Sequence, residues 1–357
     1  MKSLPRAILC TIGLLFICFL FIFTNPINRE GENNMGYQLV GVVGWEFNTT
    51  RNTSQYILRN NLTAVVMPER VCDQKSLLVI VVCTAPGNFE ERNAIRETWG
   101  SERYVLGNNV SLYFLIGETG NYSVQNDVLL ESKQYDDIIQ ERFVDSYNNL
   151  TLKSIAMLKI ATSYCINTTK YLLKIDDDMF LNLPLLIEML LRKNTNESVL
   201  LGKLICRAKP IKDTSSKWYS PRYMYKEQIY PNYLSGTSYL MSLDVAEKLF
   251  TAALSTPIFH LEDVYLTGMC ARKAQVRPCS HPLFTYSRQR NEPCEFRNLI
   301  TIHHFTPEQL RETFRALKDP HLPKRCEKYK PTFNSHSWLL GNILKPGRVH
   351  RKNRHQR

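Results

Sequence analysis

Two textures alternate along the middle of the chain. Leu77–Val82 (Leu-Leu-Val-Ile-Val-Val) is aliphatic at every position, the pattern of a strand buried on both faces. Val110–Ile116, Ile138-Ile139, the run from Tyr171 to Ile175 and the stretch Val199–Leu204 read the same way. Between them lie helical stretches: Glu90 to Trp99 behind Asn88 as cap, Asp127–Lys133, Leu150 to about Tyr164, and Leu183–Arg192. Strand alternating with helix predicts an α/β domain with a largely parallel sheet. Beyond Cys206 the texture changes. Lys217 to Tyr239 is dense in Trp, Tyr and Pro with little periodicity, which predicts an ordered aromatic loop. Helices return at Ser242–Leu254, from Glu262 to about Lys273, and behind the capping box Thr306-Pro307-Glu308-Gln309 to about Lys318.

The most informative stretch is Tyr171–Asn182, Tyr-Leu-Leu-Lys-Ile-Asp-Asp-Asp-Met-Phe-Leu-Asn. An apolar strand here empties three consecutive carboxylates, Asp176, Asp177 and Asp178, past its C-terminal end. Three adjacent anions repel one another unless a cation shares the site. In open α/β sheets ligands bind in the crevice beyond the strand ends. Side chains alternate along an extended segment, so Asp176 and Asp178 face one way and Asp177 the other. Such a pair suits a hard divalent ion, Mn²⁺ or Mg²⁺, that also holds a diphosphate. The competing reading is a solvated turn whose aspartates cap the helix at Leu183.

Size and charge add context. With 357 residues, 44% of them hydrophobic, the chain can build a sizeable core. The net charge of +12 is uneven, because Lys345–Arg357 carries six basic residues and no acid, the mark of a solvated tail. Near the other end, Ala7–Phe23 is an uncharged run of 17 residues, about 26 Å long as a helix. Lys2 and Arg6 precede it, which keeps the short N-terminus cytosolic. Its length and bulky Phe residues favour a retained anchor over a cleaved signal. Acceptors for N-glycosylation occur at Asn48, Asn52, Asn61, Asn109, Asn121, Asn149, Asn167 and Asn196. Ten cysteines include Cys10 and Cys18 inside the apolar run; the even remainder, in an oxidising compartment, predicts disulfides of unspecified pairing. These lumenal features argue against nucleic acid as the partner of the positive charge.

Other residues offer chemistry. Arg92, Arg96 and Trp99 fall on one helix face, and two guanidinium groups could neutralise a diphosphate or pair with acids of a neighbouring element. Lys153 reads by default as a surface lysine. Flat rings such as Trp218, Tyr219 and Tyr233 could stack on a pyranose or form a packed aromatic layer. Glu262 and Asp263 open a helix, where acids are expected from the dipole alone and where a carboxylate could also act as a general base. His303 and His304 precede the last helix, and a histidine can complete a carboxylate metal site.

Taken together, several segments resemble the β1,3-galactosyltransferase family, which also includes β1,3-N-acetylglucosaminyltransferases and is distantly similar to Fringe. They are Arg92-x-x-Ile95-Arg96-x-Thr98-Trp99-Gly100, Asp145-x-Tyr147-x-Asn149-Leu150-Thr151-x-Lys153, and Lys174 to Phe180. Lys217-Trp218-Tyr219, Tyr230-Pro231-x-Tyr233-x-x-Gly236, Glu262-Asp263-Val264-Tyr265-x-x-Gly268-x-Cys270 and His303 follow. The pieces occur in family order over about residues 75–320. One departure is Gly236-Thr237-Ser238-Tyr239, where many members carry a second Gly; another is Ile175 before the aspartates.

The resemblance implies a type II Golgi membrane protein with a GT-A-type, Rossmann-like fold, using Mn²⁺ (or Mg²⁺) and a UDP-sugar. It implies Asp178 and His303, with Asp176, as metal ligands, and Asp263 as the base, Glu262 being the alternative. Asp176, Asp177, Arg92, Arg96 and Lys153 become candidates for the nucleotide sugar, and Trp218, Tyr219, Tyr233 and Gly236 for the sugar or acceptor. The implied division is a cytosolic tail over 1–6, an anchor over 7–24, a glycosylated stem over 25–74, a catalytic domain over 75–320 and a basic extension over 321–357. The expected activity is inverting transfer of galactose from UDP-galactose to the 3-hydroxyl of a glycan on glycoprotein or glycolipid. A β1,3-N-acetylglucosaminyltransferase would keep every residue named, and a catalytically silent lectin-like protein is the alternative of another class.

Overall fold

A computed structural model describes residues 42, 50–59, 61, 63–193, 197–287 and 293–327. The expected anchor, the basic tail, Asn48 and Asn196 lie outside the described residues. Four parallel strands form the centre: β2 (Ser76–Cys83), β4 (Asn108–Glu118), β5 (Ile138–Val144) and β6 (Thr169–Asp176). β1 (Ala64–Val66) lies antiparallel on β5 at one edge, and β3 (Tyr104–Val105) pairs with β4. On the other side β9 (Tyr233–Ser242) runs antiparallel between β6 and β8 (Leu200–Ile205), with β10 (Cys279–Ser280) parallel to β8. The order is β1-β5-β4-β2-β6-β9-β8-β10. This is a mixed α/β sheet, rich in parallel pairs.

Both faces are covered, which is why β2 is aliphatic from Leu77 to Val82. Along β2, Val79 and Val81 enter one hydrophobic layer, while Leu78, Ile80 and Val82 enter the other. Helices α3 (Leu150–Ile160) and α5 (Leu243–Ala253) fill the first layer. Helices α1 (Phe89–Glu97) and α4 (Leu183–Leu191), together with Val128 of α2 (Tyr122–Tyr135), fill the second. Helix α6 (Pro307–Leu317) starts with the expected capping box, Thr306 and Gln309 bonding each other's backbone.

Two sequence expectations change here. Tyr233–Tyr239 belongs to a ten-residue strand inside the sheet, not to an aromatic loop. Its centre, Ser235-Gly236-Thr237-Ser238, is small and polar because it passes under the site rather than through the core. Ser238 needs no left-handed backbone, since it is not among the residues with positive φ, and its hydroxyl reaches Thr301 Oγ1 at 3.0 Å.

The second change concerns the stem, which docks on the domain before Lys75. Arg51 donates to the carbonyls of Ile258 (2.6 Å) and Met224 (3.1 Å). Thr53 and Ile57 are buried, β1 joins the sheet edge, and Cys72 is bonded to Cys165. A second disulfide, Cys294–Cys326, fastens the chain past residue 320. Cys83, Cys206, Cys270 and Cys279 are free thiols.

Candidate active site

Chain order places the site. From β2 the strands step outward through β4 to β5, and then the chain returns to lay β6 on the other side of β2. The reversal leaves a crevice between the C-terminal ends of β2 and β6, where Cys83 lies opposite Asp176. Such a switch point is where open α/β sheets bind ligands.

The three aspartates have separate environments. Asp177 is spent on the scaffold, its Oδ2 accepting from Thr84 Oγ1 at 2.5 Å and Asn88 Nδ2 at 2.8 Å. Asp176 faces the cleft and pairs with Lys174 two residues earlier on the same strand face. Lys174 also donates to the carbonyl of Gly236 on β9. Desolvation pushes the Asp176 carboxyl up to about 6, with the Lys174 charge opposing. Asp178 turns toward β11 (Thr301–His303), which pairs antiparallel with β7 (Met179–Leu181) and sets His303 opposite Met179. That pairing brings His303 Nε2 to 2.9 Å from Asp178 Oδ2.

Asp178, His303 and His304 each offer a ligand atom, all within 4.8 Å of one another, the one such trio among the described residues. His304 takes a left-handed backbone, φ +69°, which a residue with a side chain rarely adopts and which turns its ring beside His303, centroids 3.7 Å apart. One carboxylate and two imidazoles make a donor set that a divalent transition-metal ion can use, so the residues fit such an ion. Asp176, also expected as a ligand, pairs with Lys174 beside this trio, and His304 stands within it.

The same cleft contains Asp263. Its Oδ1 accepts from Val264 N–H at 2.8 Å, at the start of the π-helical segment Val264–Cys270, and its Oδ2 faces Gly236 N–H at 3.4 Å. Desolvation, and then the neighbouring Glu262 charge, push the Asp263 carboxyl up to about 7, where a general base for neutral pH is best poised. Glu262, the alternative base, is buried and accepts from the Tyr239 hydroxyl at 2.6 Å. Gly236 links both ends of the site: its carbonyl meets Lys174 and its N–H faces Asp263. A Cβ there would stand 3.2 Å from Glu262 Oε2 and 3.3 Å from Asp263 Cβ.

The cleft holds about 710 Å³ and is lined by Asp176, Gly236, Asp263, His303, Tyr233 and Trp218 among others, a volume ordinary for a small-molecule site. Trp218, 49% exposed, forms an open wall with Tyr147, and Lys217 Nζ lies 4.7 Å from the Trp218 ring centroid. Tyr219 does not line the cleft; it is half-buried against the core behind it.

Three basic candidates for nucleotide contact stand away from the cleft. Arg92 is fully buried and donates to Glu131 (2.6 and 2.8 Å) and to the carbonyls of Ala85 and Pro86. Arg96 pairs with Glu131 and Asp137, and Trp99 donates to the Met179 carbonyl at 3.1 Å. Lys153, expected at the surface, is buried; its Nζ reaches the Thr84 carbonyl at 2.5 Å and Asp145 at 2.9 Å. These cations hold the crevice's walls in place. Residues that sequence reasoning gave no role of their own include Lys174, Tyr147, Tyr286 and His260, all at the cleft. The two-residue spacing of Lys174 and Asp176 on one strand was the available signal.

The profile of the family described as Galactosyltransferase matches residues 90–282. This chain belongs to the galactosyltransferase family. Beta-1,3-galactosyltransferase 1 of Mus musculus and of Homo sapiens are each 39% identical over 242 residues, 67% of this chain and 73% of theirs. Beta-1,3-galactosyltransferase 2 of Homo sapiens is 34% identical over 308 residues, 82% of this chain and 72% of that one. Membership makes the chain a glycosyltransferase, which takes a sugar donor and a glycan acceptor. A solved structure of the bifunctional glycosyltransferase WbbM in its apo form aligns at TM-score 0.38 and 10% identity, covering 72% of this chain and 52% of that chain; a likeness that weak carries no argument.

Proposed function

We propose that this galactosyltransferase-family enzyme moves galactose from UDP-galactose to the 3-hydroxyl of an acceptor glycan with inversion, from a GT-A-type domain. The observation that carries the reading is the pairing, in one cleft, of a carboxylate poised near neutral pH with a carboxylate–imidazole trio. Asp263 would take the proton from the acceptor hydroxyl as its oxygen attacks the sugar C1 from the face opposite the leaving diphosphate. The C1–O bond to the diphosphate breaks as the new C1–O bond forms, so a single displacement inverts the centre and needs no covalent intermediate. Asp178, His303 and His304 would hold a divalent ion, Mn²⁺ or Mg²⁺, whose positive charge offsets the negative charge of the diphosphate. Lys174 holds Asp176 in place at the donor end, and Trp218 offers a flat apolar face at the other. The lumenal sequence features support a site held on the far side of a Golgi membrane by the N-terminal anchor.

The test is donor choice. Full-length protein in detergent, given Mn²⁺, a panel of UDP-sugars and simple β-linked galactose, N-acetylglucosamine and N-acetylgalactosamine acceptors, is expected to turn over UDP-galactose. Preference for UDP-N-acetylglucosamine would assign the β1,3-N-acetylglucosaminyl reading instead. Asp178→Ala is expected to weaken Mn²⁺-dependent UDP binding about tenfold or more, as loss of a metal ligand's charge does; unchanged Mn²⁺ dependence in calorimetry would refute the metal assignment.

A further inference from the structure

The Trp218 end of the cleft is built largely from two loops. The first runs over 206–232, between β8 and β9, and carries Trp218 and Tyr230 into the lining. The second runs over 254–263, between α5 and the π-helical segment Val264–Cys270, and carries Glu262 and Asp263. Loops of this kind are mobile unless something fixes them. Arg51, ahead of β1, bonds to both. Its Nε donates to the Ile258 carbonyl at 2.6 Å and its Nη2 to the Met224 carbonyl at 3.1 Å. Its own carbonyl accepts from Ile258 N–H at 2.8 Å. Two residues on, Thr53 Oγ1 donates to the Thr256 carbonyl at 3.2 Å. A planar guanidinium with donors on two edges can reach two loops at once. Ile258 and Met224 are buried, and a buried carbonyl that loses its donor forfeits its hydration with no return.

The side chains next to these carbonyls carry the constraint forward. Tyr225, beside Met224, packs on Phe259, beside Ile258, with ring centroids 5.8 Å apart. Both rings also pack on Tyr230, at 4.8 and 5.9 Å, and Tyr230 lines the cleft. Arg51 itself does not line it. The donor end is built otherwise: Asp176, Asp178 and His303 sit beside the ends of strands β6, β7 and β11, and Arg51 bonds to none of them. We infer that Arg51 is a positioning residue, strapping the Trp218 loop to the Asp263 loop and so fixing the acceptor end of the cleft. The segment ahead of β1 is then a working part of the site and not only a spacer. The inference rests on reading the Trp218 end of the cleft as the acceptor's.

The test compares full-length wild type with Arg51→Gln and Arg51→Lys in detergent, at a temperature where circular dichroism shows each folded. Binding of β-methyl glycosides of galactose, N-acetylglucosamine and N-acetylgalactosamine is followed by saturation-transfer NMR. Acceptor kcat/KM with UDP-galactose and UDP affinity by calorimetry are measured beside it. Arg51→Gln keeps the backbone bond to Ile258 but is too short to reach both carbonyls. It is expected to weaken glycoside binding and to lower acceptor kcat/KM at least about tenfold, since a shift of about 1 Å at a reacting group can cost about a hundredfold. UDP affinity should stay within about twofold, a split that a general loss of structure would not produce. Arg51→Lys, which can still donate to a carbonyl, is expected to recover part of the loss. Should Arg51→Gln not fold, Arg51→Lys decides: a smaller loss confined to the acceptor supports the inference, and no loss overturns it. Unchanged acceptor kcat/KM in folded Arg51→Gln would overturn it, as would UDP affinity falling in step or a folded wild type that binds none of the glycosides. Arg51-dependent glycoside binding without turnover of any UDP-sugar would uphold the inference and fail the functional reading.

Discussion

At the scale of residues, the site is a sorting of like charges by environment. Asp177, Asp176 and Asp178 are consecutive, yet one is bonded to Thr84 and Asn88, one to Lys174, and one to His303. Strand alternation explains the first separation, and the turn into β7 explains the last. Sequence reasoning could place the carboxylates because their spacing is local; it could not see that Arg92, Arg96 and Lys153 are committed to Glu131, Asp137 and Asp145. Those partners lie on other elements, and a basic residue looks the same in sequence whether it meets a ligand or a buried acid. Lys153→Met tests the commitment. Leaving the Asp145 carboxylate without its cation is expected to cost about 3–5 kcal/mol of unfolding free energy, read from urea denaturation. A loss well under 1 kcal/mol would show that Lys153 is not a structural ion-pair partner.

Elements explain why the site has one geometry. The parallel core strands were legible because strands covered on both faces must be apolar throughout, and the capping box of α6 because its chemistry is local. β9 was not legible: at Gly236 it carries small polar residues where a central strand normally shows aliphatics. The reason is its position under the cleft, where a side chain would displace the acids above it. Gly236→Ala is accordingly expected to disturb activity more than stability. Its methyl would press on Glu262 and Asp263 at 3.2–3.3 Å, and a shift of the base of even about 1 Å can lower turnover about a hundredfold. Melting temperature should fall only a few degrees, consistent with about 1 kcal/mol of overpacking. Full activity in Gly236→Ala would mean that Asp263 is not positioned by β9.

Across the whole molecule, the domain extends farther toward both termini than the sequence texture implied. Residues 50–74 are polar and weakly patterned, so periodicity had no handle on them. Their attachment works through backbone hydrogen bonds, a buried Thr53 and Ile57, and the Cys72–Cys165 bridge across 93 residues. A bridge closing a loop of that size contributes about 2–5 kcal/mol. A chain beginning at Lys75 is therefore expected to melt several degrees below one beginning at Asn48, by differential scanning fluorimetry; equal melting temperatures would make the segment a passive tether.

The base assignment has its own signature at this scale. An aspartate whose folded pKa is raised to about 7 from 3.8 holds its proton more tightly in the folded state. Its ionisation then opposes folding, and that cost is absent below about pH 4, grows between about pH 4 and 7, and is fully present above about 7. Asp263→Asn should consequently raise the melting temperature at pH 8 and leave it unchanged at pH 4.

The most direct measurement is UDP-galactose transfer by wild type and Asp263→Asn across pH, each saturated with Mn²⁺, alongside UDP binding by calorimetry. The account predicts a wild-type kcat/KM that rises with pH through about 7. It predicts at least about a hundredfold loss of transfer in Asp263→Asn, the usual contribution of a general base, with UDP affinity unchanged. Near-normal transfer by Asp263→Asn would contradict it.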